Sequence, residues 1–240
     1  MENTQAILDN YSDEEKGAYL TAIASIATAD TQVSEEEIEG ITALCQSASL
    51  SEERTQEVLS AAETTDSEKL RRSLDIIKGS DLKYALVADL IAFAKLDSDY
   101  SEAEQKSVQS ISEYLGVNQN QFSLLNQFTD QAANAQVSPE DVKKPGFLSS
   151  LGIEDKMKSA GINTGGFLKS LLTIAAPMIL TKMITGGIRR NRTASSGGGM
   201  FGNSRGGIGG GIGSVISMLN GGRGFGNAGG LLGKLFGGNR

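Results

Sequence analysis

Apolar residues recur at three- and four-residue steps from about residue 12 to residue 135, and this spacing predicts helices. Tyr19, Leu20, Ile23, Ile26 and Ala27 form the first stripe, and Ser12 with Glu15 three positions on makes a capping box at its start. Ser34 and Glu37 open a second helix, with Ile38, Ile41, Leu44 and Cys45 inward. Ser51 caps a short third, which carries Val58 and Leu59. A fourth begins around Asp66 and Ser67, carries Leu70, Leu74, Ile76 and Ile77, and meets Gly79 at its C′ position. The fifth, with Asp81 as its cap, runs through Leu82, Tyr84, Ala85, Leu86, Val87, Leu90, Ile91, Phe93, Ala94 and Leu96. It is apolar nearly all round, the pattern of a helix buried at the centre of a bundle. Ser101 and Glu104 open a sixth (Val108, Ile111, Leu115) that Gly116 stops, and Asn118 caps a seventh (Phe122, Leu124, Leu125, Phe128). No window of alternating β-branched residues competes, and the first proline is Pro139. The expected fold class is therefore all-α, a compact bundle of about seven helices.

The pattern repeats at an offset of 67 residues, which pairs Leu20 with Val87, Ile23 with Leu90, Ile41 with Val108 and Leu44 with Ile111. It also pairs Asp30 with Asp97, Ser34 with Ser101, Glu35 with Glu102 and Glu37 with Glu104. Each half thus has a helix, an acidic turn, and a Ser-x-x-Glu start. Capping accounts for the Ser and Glu positions. It does not account for Asp30 and Asp97, which stand near helix C-termini, where negative charge is unfavourable. If the halves bring both turns together, Asp30, Glu35, Glu37, Asp97, Asp99, Glu102 and Glu104 form a carboxylate set suited to a hard cation such as Ca²⁺ or Mg²⁺. The set is not an EF-hand: Glu102 stands where that loop needs Gly, and Val108 where it needs the bidentate Glu. Capping boxes alone remain the competing account.

Ala-Asp-x-x-Val-Ser-x-x-Glu at 29–37, with its degenerate copy at 96–104, resembles the TerB-like tellurite-resistance family. That all-α domain is also related to the N-terminal part of a membrane-bound co-chaperone. The resemblance covers roughly residues 10–130, and Thr31 and Ser98 stand where the family pattern usually has Gly. It implies a non-enzymatic stress or tellurite-resistance role, with Ca²⁺ held by the acids above, of which Asp30, Glu35, Glu37, Asp97, Asp99 and Glu104 are the candidate ligands.

Beyond this domain, taken as residues 1–135, residues 136–165 read as a linker with short helical pieces, and residues 166–240 as a low-complexity tail. Of 30 glycines, 22 lie in the tail, which has nine basic residues and no Asp or Glu. Residues 1–165 therefore hold 13 basic and 29 acidic residues, so a domain of net charge −16 is joined to a tail of +9. Such asymmetry points to an anionic partner for the tail. Residues 167–188 read as an amphipathic basic helix of the interfacial type, with Phe167, Leu168, Leu171 and Leu172 on one side and Lys169, Lys182, Arg189 and Arg190 as basic contacts. Its uncharged run, residues 170–181, is shorter than the about 20 residues a span requires, whereas the 22 residues 167–188 would just span if Lys169 and Lys182 snorkel.

The tail is expected to dock on a membrane surface or protein partner. One alternative is self-association through apolar islands at 215–219 and 231–236. Nucleic-acid binding ranks lower, because aromatics for base stacking are sparse: Phe201, Phe225 and Phe236. The chain has no His, which removes imidazole catalysis and His-based metal sites. A single cysteine, Cys45, excludes an internal disulfide and reads as a buried core thiol. No nucleophile–base pair can be assembled, so no enzyme activity is expected. The polar N-terminus lacks a signal peptide's basic and apolar regions, which points to the cytoplasm.

Overall fold

The computed structural model describes residues 8–27, 35–64, 66–95, 102–134, 141 and 144–172. Seven helices make the bundle: α1 (Asp13–Ala27), α2 (Glu35–Ser47), α3 (Glu52–Glu63), α4 (Ser67–Lys78), α5 (Leu82–Ala94), α6 (Glu102–Tyr114) and α7 (Gln119–Asn134). Among the described residues three short helices follow: α8 (Phe147–Ser150), α9 (Glu154–Ser159) and α10 (Thr164–Ser170). The 67-residue offset maps α2 onto α6 end for end, the start of α3 onto the start of α7, and the end of α1 onto the end of α5. The paired positions Leu20 and Val87, Ile23 and Leu90, Ile41 and Val108, and Leu44 and Ile111 are all buried. The internal repeat is thus a repeat of helices and of core positions.

Local chemistry sets the helix ends. Ser12 and Glu15 exchange hydrogen bonds across the start of α1, with Ser12 N donating to Glu15 Oε2 at 2.9 Å and Glu15 N to Ser12 Oγ at 3.2 Å. Ser51 Oγ accepts from Arg54 N, and Asp66 Oδ1 accepts from Glu68 N and Lys69 N, each satisfying donors that a helix start leaves without partners. Asn118 and Gln121 bond reciprocally at the start of α7. At the end of α6, Gly116 takes φ of 73°, Gly116 N donates to Glu113 O, and Val117 N donates to Ser112 O. That is the Schellman pattern, and its left-handed residue favours glycine. Two sequence expectations shift. Gly79 is the C-cap of α4 in right-handed conformation, one place earlier than C′. At the start of α5, Leu82 N donates to Ser80 Oγ, while the Asp81 carboxylate accepts from Asn163.

α1 and α5 organise the packing. α1 lies against α3 and α4, with Gly17 under the Arg54 stem, where a Cβ would come within 3.2 Å of Arg54 Cδ. α5 touches α1, α4, α6, α7 and α10, and buries Leu82, Tyr84, Ala85, Leu86, Val87, Ala88, Leu90 and Ile91. Lys16, itself buried, donates from Nζ to Ala48 O at 3.0 Å, beside the C-terminus of α2, where a cation is favourable.

The packing does not stop at residue 135. Phe147, Leu148, Ile153, Met157, Ile162, Phe167, Leu171 and Leu172 all belong to the same buried cluster as the bundle core. Residues 144–165 of the segment expected to be a linker are therefore part of the packed unit. The physical reason is a supply of apolar side chains too closely spaced to stay in water. Truncating Leu86 to Ala, at the fully buried centre of α5, should cost about 2–5 kcal/mol in a urea titration of the full-length chain, whereas Glu63→Ala on the exposed end of α3 should shift stability by less than about 0.5 kcal/mol.

Candidate functional site

One position on α5 breaks its apolar pattern. Asp89 is fully buried, so its carboxylate needs donors to replace the water it has lost. Tyr19 of α1 donates its hydroxyl to Asp89 Oδ2 at 2.5 Å, and the backbone N–H of Leu172 donates to the same oxygen at 2.9 Å. Tyr19 is itself entirely buried; burial, then the neighbouring Asp89 charge, push its phenol well above the ordinary value of 10.0. The contact joins the first helix, the central helix and the C-terminal segment through one group.

The C-terminal segment is bound along a seam that leads to this point. Gln121 Nε2 of α7 donates to Ala160 O at 2.9 Å and to the Tyr84 hydroxyl at 3.1 Å. Asn163 caps α10 through Gly166 N, and its Nδ2 lies 3.4 Å from Asp81 Oδ2. Ser170 hydrogen-bonds the Tyr11 hydroxyl, which desolvation nonetheless raises above its ordinary pKa. The Phe167 ring meets Phe128 edge to face at 5.0 Å, an arrangement favoured by the ring quadrupoles.

The expected surface residues are divided by this packing. Phe167, Leu171 and Leu172 are buried in the core, so they do not form an outward membrane face. Leu168 is half-buried and Lys169 is exposed. The expected continuous helix from residue 167 is also corrected: α10 starts at Thr164 and ends at Ser170, and Leu171 is extended, with ψ of 115°. Its apolar stripe follows the bundle rather than a membrane, because Asp89, Phe128 and the α5 surface supply partners close by. Lys182, Arg189 and Arg190 lie outside the described residues.

The proposed cation ligands Asp30, Asp97 and Asp99 also lie outside the described residues. Glu35 and Glu37 fall in the first turn of α2, and Glu102 and Glu104 occupy the equivalent places in α6. Among the described residues, no group of three or more acidic or cysteine side chains is placed to hold a metal. Cys45 is fully buried, and burial pushes its thiol up to about 11, the state of an inert core residue. Among the described residues no helix is long and apolar enough to cross a membrane.

Sequence reasoning passed over Asp89. The available signal was a lone carboxylate inside a helix that is apolar on every side, a residue that must find a donor or remain at the surface.

The sequence model of one protein family, Tellurite resistance protein TerB, matches residues 3–127. Comparison with curated proteins and with solved structures returns no match. The matched stretch includes α1–α6 and the first half of α7, and ends before α8–α10.

The Tyr19 phenol gives a pH signature. Its raised pKa means that folding favours the protonated form, so the associated stability is complete below pH 10 and is lost as pH rises above it. Urea titrations between pH 9 and about 11 should show stability falling with pH, with a shallower fall in Tyr19→Phe.

Proposed function

Because the chain belongs to the TerB tellurite-resistance family, we propose that it is a non-enzymatic scaffold of the stress and tellurite-resistance type. In this reading the bundle binds Ca²⁺ through its two acidic turns, and the basic tail attaches it to a cytoplasmic membrane surface or to an assembly. The observation that carries the cation site is the relation between α1 and α5. Glu15 bonds Ser80 at the start of the pair, and Tyr19 bonds Asp89 further along both chains. The helices therefore run in the same general sense, and their C-terminal ends point the same way. Each end leads into one acidic connection, Asp30 after α1 and Asp97 with Asp99 after α5. The symmetry of α2 and α6 sets Glu35 and Glu37, and their counterparts Glu102 and Glu104, in matching first turns. Carboxylates from the two connections, if brought together, would suit an oxygen-preferring divalent cation.

Membrane attachment falls to the chain beyond Leu172, since the apolar residues just before it are committed to the core. Lys182, Arg189 and Arg190 supply the charge, and an anionic lipid surface supplies the partner. Self-association through the apolar islands at 215–219 and 231–236 is the competing reading of the same tail.

Two measurements test these statements. Ca²⁺ at about 100 times its Kd should raise the Tm of the full-length chain by on the order of 5 °C, and Asp30→Asn combined with Asp97→Asn should abolish the rise. An unchanged wild-type Tm contradicts the cation site. The full-length chain should sediment with phosphatidylserine vesicles at low salt and be released at high salt, as screening requires. Sedimentation without vesicles instead supports self-association.

A further inference from the structure

We propose that Asp89 is a helix cap supplied from a distance: its carboxylate starts the tail's own helix at Leu172, which makes α5 the platform from which the tail leaves the bundle. The platform role rests on the attachment reading of the tail given above; the cap itself does not.

The backbone at the end of the described chain has the form of a helix start. α10 closes at Ser170, Leu171 is extended with φ of −71° and ψ of 115°, and Leu172 is helical again. Leu171 therefore stands at an N-cap position. Extended backbone is usual there, but leucine is a poor choice, because its side chain has no oxygen to accept from the first N–H groups. Those donors have no partner inside their own helix. Asp89 Oδ2 takes the first of them, Leu172 N, at 2.9 Å and from 83 residues away. A buried carboxylate at this place also faces the positive end of the helix dipole, where an anion is favourable. The repeat supports the assignment. The 67-residue offset puts Ala22, fully buried, where Asp89 stands in the second half. In that first half the helices α3 and α4 take their caps from neighbours in sequence, Ser51 and Asp66. The sequence beyond Leu172 suits a helix: Ile174, Ala175 and Ala176 follow, the start lies more than a full turn before Pro177, and the next glycine is Gly186. Forming the first turn is the costly step of helix formation, and the bundle fixes that step for the tail before any partner is met.

Hydrogen exchange in the full-length chain without lipid tests the cap. The amides of Ala175 and Ala176, the first to bond within a helix started at Leu172, should exchange at least about fivefold more slowly than in an unstructured chain. Asp89→Ala should remove most of this protection. Asp89→Asn, whose amide oxygen still accepts, should keep it to within about twofold. Tyr19→Phe, which loosens the same contact from α1 but leaves the acceptor in place, should keep it too, with the Leu86 and Leu90 amides reporting the bundle in each sample. Unprotected wild-type amides, or equal loss in Asp89→Ala and Tyr19→Phe, would overturn the proposal. Where Asp89→Ala does not fold, loss of protection in folded Asp89→Asn or Tyr19→Phe overturns it. On phosphatidylserine vesicles Asp89→Ala should bind about fivefold more weakly than Asp89→Asn, and equal binding would overturn the platform role. A wild-type chain that does not bind contradicts the attachment reading instead, and the exchange rates still decide the cap.

Discussion

A carboxylate at the centre of the most apolar helix sets the terms for the rest of the molecule. Asp89 sits among Leu86, Leu90 and Ile91, away from water. It keeps its place because Tyr19 and the Leu172 N–H reach it from two other elements. One group therefore fixes α1 and the C-terminal segment against α5. The 67-residue offset relates Asp89 to Ala22, and Tyr19 to Leu86. The two halves agree in helices and in core leucines but differ at this contact, and the C-terminal segment docks where they differ.

Most of the bundle was legible from periodicity, because its signals are local. Ser12, Ser51 and Asn118 act on donors three residues away, and each caps the helix it was expected to cap; Asp66, where a helix was expected to begin, caps it through Glu68 N and Lys69 N. The repeat was legible because burial selects the same apolar spacing in both halves. The short helical pieces within residues 144–165 were expected, but their packing onto the bundle was not: they are too short to display a 3.6-residue period that marks a buried face, and Pro145 with Gly146 reads as a break. Phe167 and Leu171 have the spacing of an interfacial helix, and the sequence cannot distinguish a membrane from a protein groove as the apolar phase that receives them. Phe128 and Asp89 decide it, and they lie 39 and 83 residues before the groups they meet.

This packing also changes how the two charged segments are connected. The first residues of the tail, up to Leu172, pack on the bundle, and the Leu172 backbone is held against the central helix. The acidic connections follow α1 and α5, the two helices that Tyr19 and Asp89 hold together.

The most direct test of this account is a double-mutant cycle between Tyr19→Phe and Asp89→Ala, each of which removes the hydrogen bond, measured by urea unfolding of the full-length chain at pH 7. A hydrogen bond to a buried charged acceptor predicts a coupling energy of about 1.5–3 kcal/mol. Effects of the two substitutions that add to within about 0.5 kcal/mol would show that the pair does not hold the bundle together, and would contradict the account.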